Sequence, residues 1–363
     1  MKVLHIYKDY HPILGGIENH VKMLAEAEVQ AGHEVTVLVT NPGREQPREI
    51  INGVQVIRAN RLATVASTPL SLEMGVILAR LRPDITHLHF PYPVGEVSQL
   101  LFGRGRPYVI TYHSDVVRQQ WLLRLYRPVM KHVLAGAAQI MPTSLKYLMS
   151  SPILGPYIKQ CAIVPLAVEV KPFLGAWPLL PPAGLPTLLF VGRHRYYKGV
   201  DDLIRAMPHV QARLVIGGDG PLRPAWEQLT KELNLSERVI FTGEVSDEAL
   251  PGLFASGDIF VLPANSRAEA FGKVLLEAMA AGLPCITTEL ETGTSFVVQN
   301  RQTGLVVPPH QPLALASAIE QLIANPALRK TMGRSGREWV LAHFTVEKLS
   351  GRVTAIYRKV LNL

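Results

Sequence analysis

Two cysteines in 363 residues, Cys161 and Cys285, exclude a disulfide scaffold. They lie far apart in strand-like segments and read as isolated buried thiols of a reducing cytoplasm. No run of about 18 apolar residues occurs, so no helical bilayer span is expected. The opening MKVLHIYKDY lacks the apolar core and small-residue cleavage site of a signal peptide. The G-x-G-x-x-G fingerprint is missing too, which argues against a nicotinamide-dependent oxidoreductase. Acid is scarce in one region: between Val97 and Val168 stands only Asp115, against eight Arg and Lys. That stretch accounts for nearly all of the net charge of +8 and implies an anionic partner. A nucleic acid would fit the charge, but no nucleic-acid-binding motif accompanies it.

What is present is globular: 48% hydrophobic residues, 18% charged, with 28 Gly and 28 Pro. The length implies about two domains. Short apolar runs read as strands at Val3–Tyr7, Glu34–Val39, Val54–Arg58, Ile85–His89, Tyr108–Tyr112, Gln139–Met141 and Ala162–Val164. Helical patterns lie between them, notably Ile17–Ala31 and Leu70–Leu81. Lys171–Pro186, with five prolines and two glycines, reads as a linker. The rhythm then restarts with strands at Thr187–Val191, Leu214–Gly217, Val239–Thr242, Ile259–Leu262 and Cys285–Thr288. Helices fill the C-terminus. The expectation is an α/β chain of two facing, doubly wound Rossmann-like domains, residues 1–172 and 173–345. A last helix, 346–363, crosses back to the first domain. Ligands of such sheets sit at the carboxyl ends of the strands, which makes the cleft between the domains the natural site.

The most informative stretch is SRAEAFGKVLLEAMAAGLP, Ser266–Pro284. From Phe271 the apolar residues fall at i, i+3, i+4, i+7 and i+8, the stripe of an amphipathic helix. Glu269 then lies on the approach to the helix and Glu277 in its second turn. Both carboxylates can face the space above the first turn, where free N–H groups and the helix dipole favour an anion. Carboxylates beside an anion site suit sugar hydroxyls. Alternatively Glu269 decorates a helix start and Glu277 pairs with Lys273 at i−4. The loop VGRHRYYKG places Arg193 and Lys198 after a strand, where two cations can neutralise a diphosphate or stand as ordinary surface charges. Gly15-Gly16 opens a helix after the first strand, as an oxyanion cradle or simply a tight turn. In TGEVSDEAL, Asp247 can accept from guanine, or Ser246 or Asp247 can cap a helix.

Assembled, these residues resemble the retaining glycosyltransferases of the GT-B fold, family four. The resemblance runs nearly end to end, through LGGIE, DITHLHFP, TYHSD, GRHRYYKG, GGDGPL, TGEVSDEAL, EAFGKVLLE, AMAAGLPCITT, GTSFVV and NRQTGLVVPP. It implies a nucleotide-sugar donor and no metal. By it, Gly15 and Gly16 approach the donor's diphosphate and sugar, and Arg193 and Lys198 hold the diphosphate. Glu269 binds sugar hydroxyls, with the N–H groups of Phe271, Gly272 and Lys273 nearby. Glu277 binds the ribose, Val245 and Asp247 meet the base, and His113 touches the sugar near the reaction centre. His113 has the alternative of a satisfied strand-end histidine, and His87 and His89 read as structural. The implied chemistry is transfer with retention, the leaving phosphate taking the acceptor's proton on the same face.

Likeness to bacterial mannosyl- and rhamnosyltransferases of surface-polysaccharide (O-antigen, lipopolysaccharide) assembly favours GDP-mannose or a GDP-deoxyhexose, with UDP sugars as the alternative. A sugar-nucleotide epimerase is the nearest enzyme rival. Val116–Ala137 carries an apolar stripe at Trp121, Leu122, Leu125, Tyr126 and Val129 among Arg118, Arg124, Arg127 and Lys131. It reads either as a core-facing helix with a solvated basic face or as a surface for a lipid-linked acceptor on an anionic membrane. The expected place is the cytoplasmic face of the inner membrane.

Overall fold

The computed structural model describes residues 1–13, 15–43, 47–65, 68–116 and 120–363, with the side chains of 120–123 set aside. The chain forms two compact units, Met1–Leu166 with Val346–Leu363, and Ala167–Thr345.

In the first unit, β1 (Lys2–Ile6) leads into α1 (Gly16–Gln30) and β2 (Glu34–Asn41). Then come β3 (Arg48–Ile51), β4 (Val54–Asn60), β5 (Ala63–Val65), β6 (Thr68–Leu70) and α2 (Glu73–Arg80). The remainder is β7 (Ile85–Phe90), α3 (Pro93–Phe102), β8 (Tyr108–Tyr112), α4 (Gln120–Gly136), β9 (Gln139–Pro142) and α5 (Leu145–Ser150). The sheet order is β3-β4-β2-β1-β7-β8-β9, parallel except for β3. All six residues of β7 are buried, as expected of a parallel strand covered on both faces.

The second unit runs β10 (Thr187–Val191), α6 (Val200–Ala206), β11 (Arg213–Gly217), α7 (Arg223–Glu232), β12 (Val239–Gly243) and α8 (Leu250–Ala255). It continues with β13 (Ile259–Leu262), α9 (Lys273–Ala281), β14 (Cys285–Thr288), α10 (Thr294–Val297) and β15 (Gly304–Val307). Two helices close it, α11 (Pro312–Ile323) and α12 (Pro326–His343), before α13 (Val346–Leu361) joins the first unit and packs on α1. Its six parallel strands lie in the order β12-β11-β10-β13-β14-β15. The order reverses between β10 and β13, the switch point where doubly wound sheets take ligands. Within the first sheet the same reversal falls between β1 and β7.

Several local expectations change. Ala162–Val164 is not a strand: its N–H groups bond Ile140 and Pro142 of β9 from one side, Pro165 follows, and only Cys161 makes a bridge. The helix expected over Leu70–Leu81 begins at Glu73, because Thr68–Leu70 pairs as β6 and the Ser71 hydroxyl accepts from Met74 N–H. The β3–β4 hairpin was missed, though its Asn52-Gly53 turn, with φ of 48° and 84°, is the two-residue pattern such hairpins favour. Lys171–Pro186 is irregular but tied down: Leu179 N–H bonds Gly252 O and Leu180 N–H bonds the Ser256 hydroxyl.

Candidate active site

At the switch point of the second unit, the loop after β10 and the start of α9 bring Lys198 and Glu269 together. Lys198 Nζ lies 2.6 Å from Glu269 Oε2, with both side chains nearly buried. Burial alone would lower the Lys198 ammonium; Glu269, then Tyr197 and Glu277, outweigh it and hold the pKa above its ordinary value. Both glutamates therefore act on the same cation. Glu277 is also 3.1 Å from Lys273 Nζ, so the i−4 pair is real as well. Lys273 leaves Glu277 in the field of Lys198.

Glycines make this approach possible. Gly199, in the left-handed region at φ 63°, carries the chain past β13; a Cβ there would lie 2.1 Å from Pro263 O. Gly272 is left-handed at φ 78°, and a Cβ would meet Leu275 at 2.9 Å and Leu262 at 3.1 Å. Gly272 starts α9 with no side-chain cap, leaving its first N–H groups toward the loop that holds Glu269. Phe271 is buried against Phe344, which anchors that loop. Arg193 is exposed on the same β10 loop.

Asp247 stands apart from this pair. Together with Trp177 and Pro251 it lines a hollow of about 620 Å3 that Lys198, Glu269 and Glu277 do not line. Neither Ser246 nor Asp247 caps α8, whose cap residue is Ala249; the Ser246 hydroxyl accepts from Ala249 N–H in the turn before it, and Asp247 is exposed. Val245 is half-buried in the same loop.

In the first unit Gly15 precedes α1 and Gly16 opens it. A Cβ on Gly15 would sit 2.1 Å from Glu18 Oε2, whereas one on Gly16 would meet open space. Glu18, buried beneath the turn and 3.5 Å from Lys8 Nζ, was not singled out in the sequence. His113 follows β8, is nearly buried, and its N–H bonds Phe90 O. Burial pushes its pKa down to about 3, so the ring is neutral.

The sequence shows no metal-type cluster, yet the fold assembles five histidines. His5, His87 and His89 converge, as do His20, His89 and His113, in arrangements whose nitrogens could hold a metal ion. Strand register explains it. His5 is opposite His87 on β1 and β7, His89 is opposite Thr111 on β8, and His20 comes from α1. The alternation of His87 and His89 was legible; their neighbours on other strands were not.

Of the two readings of the basic helix, the core-facing one does not hold for Leu125. Met130, Val133, Leu134 and Ala137 face inward, while Leu125 is 75% exposed. Tyr126 turns its hydroxyl to Glu96 of α3. Arg124, Arg127 and Lys131 are exposed, and Arg118 lies outside the described residues. Among the described residues no helix is long and apolar enough to cross a membrane.

Residues 177–339 match the family model described as glycosyl transferases group 1, and residues 14–145 that of Glycosyltransferase Family 4. O-antigen chain mannosyltransferase C of Escherichia coli is 32% identical over 370 residues, spanning 99% of this chain and 99% of that protein. D-rhamnosyltransferase WbpZ of Pseudomonas aeruginosa is 35% identical over 345 residues, 92% of this chain and 90% of its own. Among solved structures, sucrose-phosphate synthase from Thermosynechococcus elongatus matches with a TM-score of 0.83 at 25% identity, over 99% of both chains.

Proposed function

The chain belongs to the family 4 glycosyltransferases and has their GT-B fold, and from that premise we propose that it moves mannose or a related deoxyhexose from a GDP-linked donor to a glycan or lipid-linked glycan, with retention at the anomeric carbon. The observation that carries the reading is the Lys198–Glu269 pair at the switch point, with Glu277 in the field of the same cation. Lys198 and Arg193, helped by the N–H groups that open α9, neutralise the departing diphosphate in place of a metal. Glu269 holds the sugar and Glu277 the ribose. Val245 and Asp247 serve the base, and Gly15, Gly16 and His113 meet the diphosphate and sugar. The leaving phosphate takes the acceptor's proton. The named activities of the two curated relatives support a mannosyl or rhamnosyl group.

The donor assay uses GDP-mannose, GDP-rhamnose and UDP-glucose, each with and without a lipid-linked mannoside. Acceptor-dependent release of GDP, with an α-linked product by NMR, is expected. Turnover with the UDP sugar alone would overturn the base assignment. Isomerised donor without acceptor would make the protein an epimerase.

We further propose that the first unit rests on anionic lipid at the cytoplasmic face of the inner membrane. Arg124, Arg127 and Lys131 beside exposed Leu125 support this.

A further inference from the structure

His113, two further imidazoles and a carboxylate form one hydrogen-bonded line. Glu28 Oε2 is 2.7 Å from His5 Nε2, His5 Nδ1 is 3.1 Å from His89 Nε2, and His89 Nδ1 is 3.2 Å from His113 Nε2. The line climbs from the interior toward the carboxyl edge of the sheet: His5 is 0% exposed, His89 1% and His113 5%. The rings of His89 and His113 stack at 5.5 Å, and those of His5 and His89 at 5.3 Å. His87 stands beside the line, its two nitrogens each 2.6 Å from a hydroxyl, those of Tyr357 and Thr111. His20 packs edge-on to His89 and His113.

A neutral imidazole has one N–H donor and one bare acceptor nitrogen. His89 is the middle ring, with an imidazole nitrogen on each side, so it donates to one and accepts from the other. Its orientation is thereby copied to both neighbours. Burial keeps His89 and His113 neutral. The polarity of the line is then set at its end. If Glu28 accepts and His5 carries a single N–H, that proton lies on Nε2. His5 Nδ1 then accepts from His89 Nε2–H, and His89 Nδ1 accepts from His113 Nε2–H.

We propose that Glu28, acting through His5 and His89, is a positioning residue that holds His113 in the Nε2–H tautomer. The bare Nδ1 of His113 is left as the acceptor for a sugar hydroxyl. This rests on the role given to His113 above, but the tautomer itself does not depend on that role. The wrong tautomer would put N–H against a hydroxyl that must then turn to accept, losing the fixed orientation of the sugar rather than its binding.

The test is long-range 1H–15N correlation NMR of the histidine-labelled, substrate-free protein, with His5, His89 and His113 assigned by single substitutions. His89 and His113 should each show one Nε2–H tautomer between pH 6 and 8. Glu28→Gln, whose amide can donate as well as accept, should convert the His113 signal to a tautomer mixture two rings away. It should lower kcat on the order of 10-fold with little change in donor KM. His89→Gln, with Glu28 intact, should release His113 in the same way, which covers the case that Glu28→Gln does not fold. A wild-type His113 in the Nδ1–H form, or an unchanged His113 signal in both variants, overturns the proposal. So does a tetrahedral Co2+ absorption on titrating the wild type, because the nitrogens would then face a metal. A released tautomer with unchanged kcat upholds the line and removes His113 from the reaction instead.

Discussion

Lys198 and Glu269 sit 2.6 Å apart on loops leaving two adjacent strands, 71 residues apart in sequence. Removing either partner strands the other, nearly buried. Lys198→Ala and Glu269→Ala should each cost about 3 kcal/mol of stability, and the double variant should cost less than the sum. Chemical denaturation of the four proteins checks this; strict additivity would show the pair to be uncoupled.

The two glutamates should fail differently. If Glu269 holds the reacting sugar as proposed, Glu269→Ala is expected to lower turnover by roughly 100-fold or more. Glu277→Ala should chiefly weaken donor binding, by about 10-fold, the scale of one charge-assisted hydrogen bond. Initial rates and nucleotide calorimetry separate these. An unaltered nucleotide affinity in Glu277→Ala would remove it from the ribose.

Gly272 and Gly16 give a matched contrast. Gly272→Ala places a Cβ in a left-handed backbone against Leu275 and should cost about 1–2 kcal/mol. Gly16→Ala meets open space and should leave the melting temperature unaltered. If the N–H groups there receive an oxyanion, Gly16→Ala should still depress turnover about 10-fold; full activity would reduce Gly15-Gly16 to a turn.

Glu96 offers a pH-dependent signature. It is fully buried, accepts from Tyr92 N–H and Tyr126, and burial raises its pKa to about 7. A carboxyl raised on folding favours the folded state while it is protonated. That contribution is present below the unfolded value near 4.5 and is lost as pH rises through about 7. Glu96→Gln should therefore gain on the wild type between pH 5 and 8, by at most about 3 kcal/mol. Melts at the two pH values that ran parallel would contradict this.

The lipid surface can be read by sedimentation. The wild type should pellet with vesicles of phosphatidylcholine containing phosphatidylglycerol, and less so at high salt. Joint charge reversal at Arg118, Arg124 and Arg127 should weaken this several-fold, each base contributing on the order of 1 kcal/mol. Equal pelleting of the two proteins would leave the basic stretch a solvated face.

The alternation of apolar runs and helical patterns carried most of the architecture, because parallel strands buried on both faces are near-continuous apolar segments. Ile259–Leu262 and Cys285–Thr288 coincide with the strands observed. Local geometry was legible where spacing and turn chemistry coincide, as at Gly272 and the Lys273–Glu277 pair. What stayed hidden depends on register. Nothing near His5 in sequence announces that β7 will bring His87 and His89 beside it, nor that Glu28 of α1 will meet its Nε2. Sequence left the α4 stripe open between a core face and an exposed one; Leu125 is exposed, and the inward residues are Met130, Val133 and Leu134.

The last helix makes the chain discontinuous in a practical sense. Tyr357, at 2.6 Å from His87, belongs to the unit that the first 166 residues build, whereas 167–345 form one uninterrupted segment. A premature stop after Thr345 would thus leave the second unit whole. It would damage the unit that the first 166 residues begin, because β1 and α1 of that unit would lack the helix α1 packs on.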